Sequence, residues 1–331
     1  MSRPYGRGAE FDLLQRLGGL VGDLPREVLV GPGDDAAVLD GGWVASTDLS
    51  IEDVHFRRAW ISDVEVGYRA ATAALSDMAA MAARPVGLLA SIAVPDEGNV
   101  DIEAVQRGLA QGAKAVGASI IGGDLSRSPG PLMIDVVALG QASEPVLRSG
   151  ARPGDEVWVT GVLGAAGAAV RAWHSGQEPA RELRAAFAKP TARAHEARWL
   201  VDHEDVRAMI DISDGLVGDA GHIAAASGVK IVLDLSAVPV AEAARDFLGP
   251  TEALQVALGG GEDYELCVIV DADSPDPGYL AREHGVVMTR VGSVMDGSGV
   301  WTRSEDGGKM EVMSGGFDHW GGMAAEDGTA R

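Results

Sequence analysis

Apolar residues recur along this chain in two periods. At Phe11, Leu14 and Leu17 they keep a helical spacing, and that stretch ends at Gly18-Gly19. Short runs of strand character follow at 28–30, 36–39 and 43–46, the last two joined by Asp40-Gly41-Gly42. The pattern then predicts an alanine-rich helix over 63–83, a strand over 86–94 and a helix over 100–116. A short strand over 119–121 stops at Gly122-Gly123-Asp124, and another covers 132–139. The segment 141–154 is polar and carries Pro145 and Pro153, which marks a linker. Beyond it the predicted strands are 156–160, 208–212, 229–233, 265–270 and 286–294. The predicted helices there start near Gly161, cover 181–187 and 191–201, start again after Ser213-Asp214-Gly215, and cover 252–258. This alternation describes an α+β, or mixed α/β, chain. The expected division is a first domain over 1–140, a linker over 141–154 and a second domain over 155–331.

A length of 331 residues agrees with two domains of roughly 150 each. A net charge of −22 argues against nucleic-acid binding, which needs Lys and Arg against phosphate. Phosphorylated small molecules stay possible where divalent cations mediate the contact. The single cysteine, Cys267, forms neither an internal disulfide nor a cysteine metal site, and its alternation with buried-type neighbours reads as a strand interior. No run approaches the ~18 apolar residues of a membrane span. The first residues are polar and charged, without the apolar core of a signal peptide. A cytoplasmic protein is expected.

The acids change the picture. Asp34 and Asp35 follow a Gly31-Pro32-Gly33 turn and precede an apolar run. Asp48 follows Thr47, Asp77 follows Ser76, Asp124 follows Gly122-Gly123, and Asp211 and Asp214 flank Ile212-Ser213. Each acid lies at the end of an apolar stretch or among small residues, as if separate segments delivered carboxylates to one place. Asp77, among alanines and methionines, is either paired or metal-bound, or else an N-cap or exposed position. Oxygen-only ligands select Mg²⁺ or Mn²⁺ over zinc, and so many acids imply several ions. Ions held this way commonly hold phosphate oxygens, and phosphoryl transfer follows. The Gly-rich turn at 161–164 matches neither G-x-G-x-x-G nor G-x-x-x-x-G-K-[ST] and has little weight as a nucleotide site.

Taken in order, Gly33-Asp34-Asp35-Ala36-Ala37, Ser46-Thr47-Asp48, Val54-His55-Phe56, Leu75-Ser76-Asp77-Met78, Gly122-Gly123-Asp124, Arg148-Ser149-Gly150, Asp211-Ile212-Ser213-Asp214-Gly215 and Gly260-Gly261-Glu262-Asp263-Tyr264-Glu265-Leu266 resemble the motifs of the thiamine-monophosphate kinase family. That family belongs to the superfamily of aminoimidazole ribonucleotide synthetase and selenophosphate synthetase. The resemblance implies a two-domain fold of that superfamily and a homodimer built through the first domains. It implies ATP-dependent phosphorylation of thiamine monophosphate to thiamine diphosphate, with several Mg²⁺ ions as cofactor and ATP as co-substrate. Carried over residue by residue, Asp35, Ser46, Thr47, Asp48, Asp77, Asp124, Asp211 and Asp214 match magnesium ligands. Among these, Asp35, Asp48, Asp77, Asp124 and Asp211 are implied in catalysis, with Asp34 ranked below Asp35. Gly123, Asp124, Arg148 and Ser213 match ATP contacts, and His55, Glu262 and Phe317 match substrate contacts.

Three positions depart from the family pattern: Asp53 replaces a usual glycine, Ala74 an asparagine and Leu125 a threonine. The acceptor is a phosphate monoester with a second pKa of about 6, so transfer needs no general base and His55 reads as an orienting group. Each contact residue also has a plainer reading: His55 and Arg148 as surface side chains, Glu262 as a turn acid that could face a cationic thiazolium, Phe317 as a plug over a core edge. Two alternatives stand beside the kinase. One is another ATP-dependent enzyme of the superfamily, such as a ribonucleotide cyclase, and the other is a non-catalytic binder of divalent cations.

Overall fold

The computed structural model describes residues 9–274, 283–303 and 309–311. Two sheets, each flanked by helices, make up the molecule. The first contains β1 (Val28–Val30), β2 (Ala37–Leu39), β3 (Trp43–Ile51), β4 (Arg84–Pro95), β5 (Ser119–Ser128) and β6 (Met133–Gln141), in the order β1-β2-β3-β6-β4-β5. The second contains β7 (Glu156–Thr160), β8 (Val206–Ile212), β9 (Lys230–Asp234), β10 (Glu265–Val270), β11 (Met288–Met295), β12 (Gly299–Arg303) and β13 (Lys309–Glu311), in the order β13-β12-β9-β11-β7-β10-β8. The helices are α1 (Ala9–Gly18), α2 (Asp63–Ala80), α3 (Ile102–Ala115), α4 (Ala165–His174), α5 (Arg181–Ala188), α6 (Ala194–His203), α7 (Leu216–Ser227), α8 (Glu242–Leu248) and α9 (Pro250–Gly259). This is the mixed α/β architecture that the hydrophobic pattern implies, built on two sheets.

The element that joins the halves is α2. Ser62 caps it through a reciprocal pairing with Glu65, which satisfies two orphan N–H groups at the helix start. From Val66 onward it is buried on nearly every side, as expected of a helix with partners all round. It packs against β3, β4 and β6, against α3, and against α5, α6 and β8 of the second half. The contact with α3 is backbone on backbone. A Cβ on Gly67 would lie 2.0 Å from the Val105 carbonyl oxygen, and one on Gly108 would lie 1.9 Å from that of Val64.

Two predicted strands end too early. The strand predicted over 43–46 runs on to Ile51, because β6 offers partners for all of it, from Trp43↔Gln141 to Ile51↔Met133. Thr47 and Asp48 are therefore strand residues that point to opposite faces. The strand predicted over 119–121 does not stop at Gly122-Gly123-Asp124. These residues pair in parallel with Leu89, Ala90 and Ser91, and β5 continues to Ser128. Local glycine content is a weak guide when a neighbouring strand supplies the ladder. The helix predicted from 191 begins at Ala194. Among the described residues, no helix is long and apolar enough to cross a membrane. Cys267 is buried in β10, as its alternation suggests.

Candidate functional site

Three carboxylates meet where the halves join. Asp35 comes from the turn before β2, Asp77 from the last turn of α2 and Asp211 from the end of β8. One oxygen of each lies within 4.8 Å of the other two. Asp77 is neither an N-cap, since Ser62 caps α2, nor exposed, since it is half-buried in the last turn. Burial and the charges of Asp211, Asp35 and Asp48 hold its carboxyl well above the usual range. A hydrogen bond from Ser46 opposes that rise, and the same hydroxyl lies 3.4 Å from the Ala74 carbonyl. Burial and Asp35 push Asp211 up to about 7, against the charge of Arg148. Burial and Asp35 also push Asp34 up to about 6.

Arg148 is the counter-ion. It is no surface side chain: its Nη2 donates to Asp35 Oδ1 at 2.7 Å, with both side chains largely buried. Its backbone N–H donates to Asp34 at 3.2 Å. Burial works against its charge, but Asp35, Asp34 and Asp211 together hold it protonated. Asp35 Oδ2 remains buried without a hydrogen-bond donor among the described residues. A buried carboxylate oxygen left this way is costly. Beside it, among the described residues, are two further carboxylates and no nitrogen or sulfur ligand, so this donor set fits a hard divalent cation such as Mg²⁺.

Beyond Arg148 opens a cavity of about 300 Å³, lined in part by Asp34, Ser213, Asp214, Asp219 and His222. Asp219 was not legible as a site residue. It lies on α7, is buried, and accepts the backbone N–H groups of Ser213 and Asp214 at 3.1 Å each, which fixes the turn that carries both. Burial, then Asp214 and Asp211, raise its carboxyl well above the ordinary value. Burial and Arg148 keep the His222 ring neutral, with its pKa lowered to about 3.

On the other side of the trio, Asp48 leads toward Glu262. Burial raises Asp48 to about 6, Glu262 and Asp135 add to that, and Arg69 works against it. Glu262 pairs with Arg69 of α2 and accepts the Tyr264 hydroxyl at 2.6 Å. Glu262 and Tyr264 both have left-handed backbones, with φ +77° and +53°. Their loop is held by the Glu262 N–H on the Ser213 carbonyl at 2.8 Å and the Tyr264 N–H on that of Ile212 at 2.9 Å. His55 Nδ1 accepts the Ile51 N–H at 3.0 Å, which assigns the ring proton to Nε2.

Other expected residues lie apart from the trio. The Thr47 side chain points away from that of Asp48 and donates to Asp135 Oδ1 at 2.6 Å. Asp124 is exposed on the edge strand β5, and register places it on the same sheet face as Ser91 and Asp135. Gly123 beside it has φ +148°, and a Cβ there would lie 1.9 Å from the Ala90 carbonyl oxygen, so the backbone alone demands glycine. Phe317 falls outside the described residues.

The Gly-rich turn before α4 is filled from within. Asp263 accepts the Gly164 N–H at 2.8 Å, so a protein carboxylate occupies the helix start that a phosphate would need. Sequence reasoning missed Asp263, Arg69 and Tyr264 as well as Asp219. The usable signal for Arg69 was the one that marked Asp77: a lone charge among small residues of a buried-type helix.

Comparison with known proteins agrees along the whole fold. Residues 33–142 match the family model of the AIR synthase related protein, N-terminal domain, and residues 152–302 match that of the C-terminal domain. The chain is 36% identical to the thiamine-monophosphate kinase of Rhodopirellula baltica, over 94% of this chain and 97% of that protein. The crystal structure of thiamine-monophosphate kinase from Stenotrophomonas maltophilia superposes with a TM-score of 0.74 at 35% identity, over 93% of this chain and 98% of that one. A structure of AaThiL complexed with AMPPCP and TMP gives a TM-score of 0.80 at 29% identity, over 94% and 96%.

Proposed function

The chain belongs to the thiamine-monophosphate kinase family of AIR synthase related proteins, and from that premise we propose that it transfers the terminal phosphoryl group of ATP to thiamine monophosphate, giving ADP and thiamine diphosphate. The observation that carries the reading is the trio of Asp35, Asp77 and Asp211 with Arg148 against it. The relative solved as AaThiL complexed with AMPPCP and TMP supports it.

Asp35, Asp77 and Asp211 would hold Mg²⁺, with Ser46, Asp48 and Asp214 around them and Thr47 and Asp124 on the opposite face of the first sheet. When bound, Mg²⁺ supplies positive charge against phosphate oxygens and a template for their orientation. Arg148, Ser213, Gly123 and Asp124 are the proposed ATP contacts. Arg148 is already charged and buried beside the cavity, so a phosphate competes directly with Asp35 for its guanidinium. His55, whose Nδ1 accepts the Ile51 N–H, orients the acceptor; Glu262 and Phe317 complete the substrate contacts. The acceptor is an anion before reaction, so its oxygen attacks without a base and the transfer is direct, with no phosphoenzyme.

In this proposal residues 1–140 supply Asp35 and Asp77 of the metal trio and the ATP contacts Gly123 and Asp124, Arg148 comes from the linker over 141–154, and residues 155–331 complete the site with Asp211, Ser213 and Glu262. The first domains pair into a homodimer. Trp43, Leu49, Ile121 and Leu125 stay exposed on the first sheet and its edge, a hydrophobic surface that a second copy would cover. The proposed compartment is the cytoplasm. The test is incubation with MgATP and thiamine monophosphate, with thiamine diphosphate and ADP formed in equal amounts as the expected result. Magnesium binding without product overturns the reading.

A further inference from the structure

The pairing of Glu262 sets what this loop offers a ligand. Arg69 leaves α2 with its side chain only 4% exposed and spends its charge on Glu262, which is 26% exposed and is the member of the pair that meets solvent. The other guanidinium end donates to the Phe187 carbonyl at 2.7 Å. The guanidinium carbon stands 4.0 Å from the Phe187 ring centroid and 5.8 Å from that of Tyr264. These contacts fix Arg69 from three sides. Both partners of Glu262, Arg69 and the Tyr264 hydroxyl, use the same oxygen, Oε2. The left-handed backbones at Glu262 and Tyr264 hold that geometry in the loop itself. Asp48 also faces Arg69 from β3, but it belongs to the acids on the trio's side.

We propose that Arg69 is a specificity-determining residue of the acceptor end: by neutralising Glu262 it makes the carboxylate a hydrogen-bond acceptor for a neutral donor, rather than the partner of a cation. This rests on the kinase reading above. Thiamine monophosphate has one cationic ring, the thiazolium, and one neutral ring, an aminopyrimidine with N–H donors. The pairing directs Glu262 to the aminopyrimidine. A bare turn acid would have favoured the thiazolium, so the structure reverses the choice that residue type alone suggests. Sites built around a hydrogen bond discriminate strongly against analogues that lack the donor, because the buried partner is left unpaired.

The test compares kcat/KM for three acceptors: thiamine monophosphate, its uncharged thiophene-ring analogue, and the analogue with an oxo group in place of the pyrimidine amine. In the parent, the thiophene analogue is expected within threefold of thiamine monophosphate and the oxo analogue at least tenfold below it. Glu262→Gln should lower activity on the first two by the same factor. Arg69→Met exposes a bare carboxylate and should raise the preference for the cationic over the thiophene acceptor at least fivefold, with the KM for ATP within twofold of the parent. Arg69→Lys keeps the charge and should keep the parental preference. Should Arg69→Met not fold, Glu262→Gln still decides. A loss in Glu262→Gln confined to the cationic acceptor overturns the proposal, as does an Arg69→Met protein with parental preference. A parent that turns over thiamine monophosphate yet gives either result sinks this inference alone. A parent without turnover sinks the kinase reading and this inference with it.

Discussion

Arg148 and Asp35 form a buried ion pair, Nη2 to Oδ1 at 2.7 Å, in which the second carboxylate oxygen has no donor among the described residues. The guanidinium thus neutralises half a carboxylate and leaves the other half to a cation. Removing one partner of a buried pair typically costs 3–5 kcal/mol, because the remaining charge is stranded. Arg148→Met should therefore destabilise the metal-free protein by about 3 kcal/mol at pH 8. At pH 5.5 Asp34 and Asp211, at about 6 and 7, hold protons, and the loss should shrink by half or more. Urea unfolding at the two pH values in EDTA measures this. An equal loss at both would mean that Arg148 acts through packing and not through charge.

Asp77→Asn tests the trio from the opposite side. The substitution keeps shape and removes one of several mutually repelling charges around Asp77. At 4 Å two such charges interact by about 4 kcal/mol at an effective dielectric near 20, before protonation relieves part of it. The variant should be inactive yet at least as stable as the parent in EDTA. Only the parent should gain stability on adding Mg²⁺ with ATP, by mass action on the native state. Melting temperatures with and without Mg²⁺ and ATP, read beside turnover, settle the matter. Near-parental activity in Asp77→Asn, or a melting point far below the parent in EDTA, would make Asp77 a structural acid.

Asp35, Asp77 and Asp211 were legible because each closes an apolar stretch beside small residues, which places a carboxylate at the end of a buried element. Sequence order does not reveal which sheet face a residue takes. Thr47 and Asp48 are neighbours in the chain, but once β3 runs through them their side chains part, one toward Asp135 and the other toward Glu262. The extent of β5 was hidden because Gly122-Gly123 reads as a stop until β4 is known to lie alongside. The pairing of Arg69 with Glu262 was hidden because the two are 193 residues apart, a separation that no local pattern carries.

Asp53 stands where a glycine is usual, and the backbone gives the reason for that glycine. Its φ is +66°, a left-handed conformation that strains side chains, though Asp tolerates it better than most. Its ion pair with Arg57, at 3.6 Å, is largely exposed and worth little. Asp53→Gly should raise stability by about 0.5 kcal/mol and leave turnover unchanged. A fall in the urea midpoint would show that the Asp53 side chain matters more than the strain.

The pH dependence of the metal-free protein follows from the sign of the buried acids' shifts. Asp34 and Asp48 rise to about 6 and Asp211 to about 7, and Asp77 and Asp219 are also held well above 3.8. A carboxyl whose folded pKa exceeds its unfolded value keeps its proton longer when folded. Its contribution therefore favours the folded state at acid pH and turns against it as pH rises from about 4 to about 7. His222 opposes this: held neutral with a pKa of about 3, it favours the folded state less as pH falls below 6.5. Glu65, lowered to about 2 by its hydrogen bonds from Arg184, contributes fully at and above pH 5 and does not bend the curve there. Several acids outweigh one histidine at about 1.4 kcal/mol per unit each. In EDTA the protein should thus be about 2 kcal/mol more stable at pH 5.5 than at pH 8. Mg²⁺ competes with these protons, so adding it should stabilise more at pH 8 than at pH 5.5 and flatten or reverse the trend. Unfolding midpoints at both pH values, with EDTA and with Mg²⁺, give the four numbers required. A metal-free protein more stable at pH 8 would show that the acids are not held together as charges in one place, and the metal reading of the trio would fall with them.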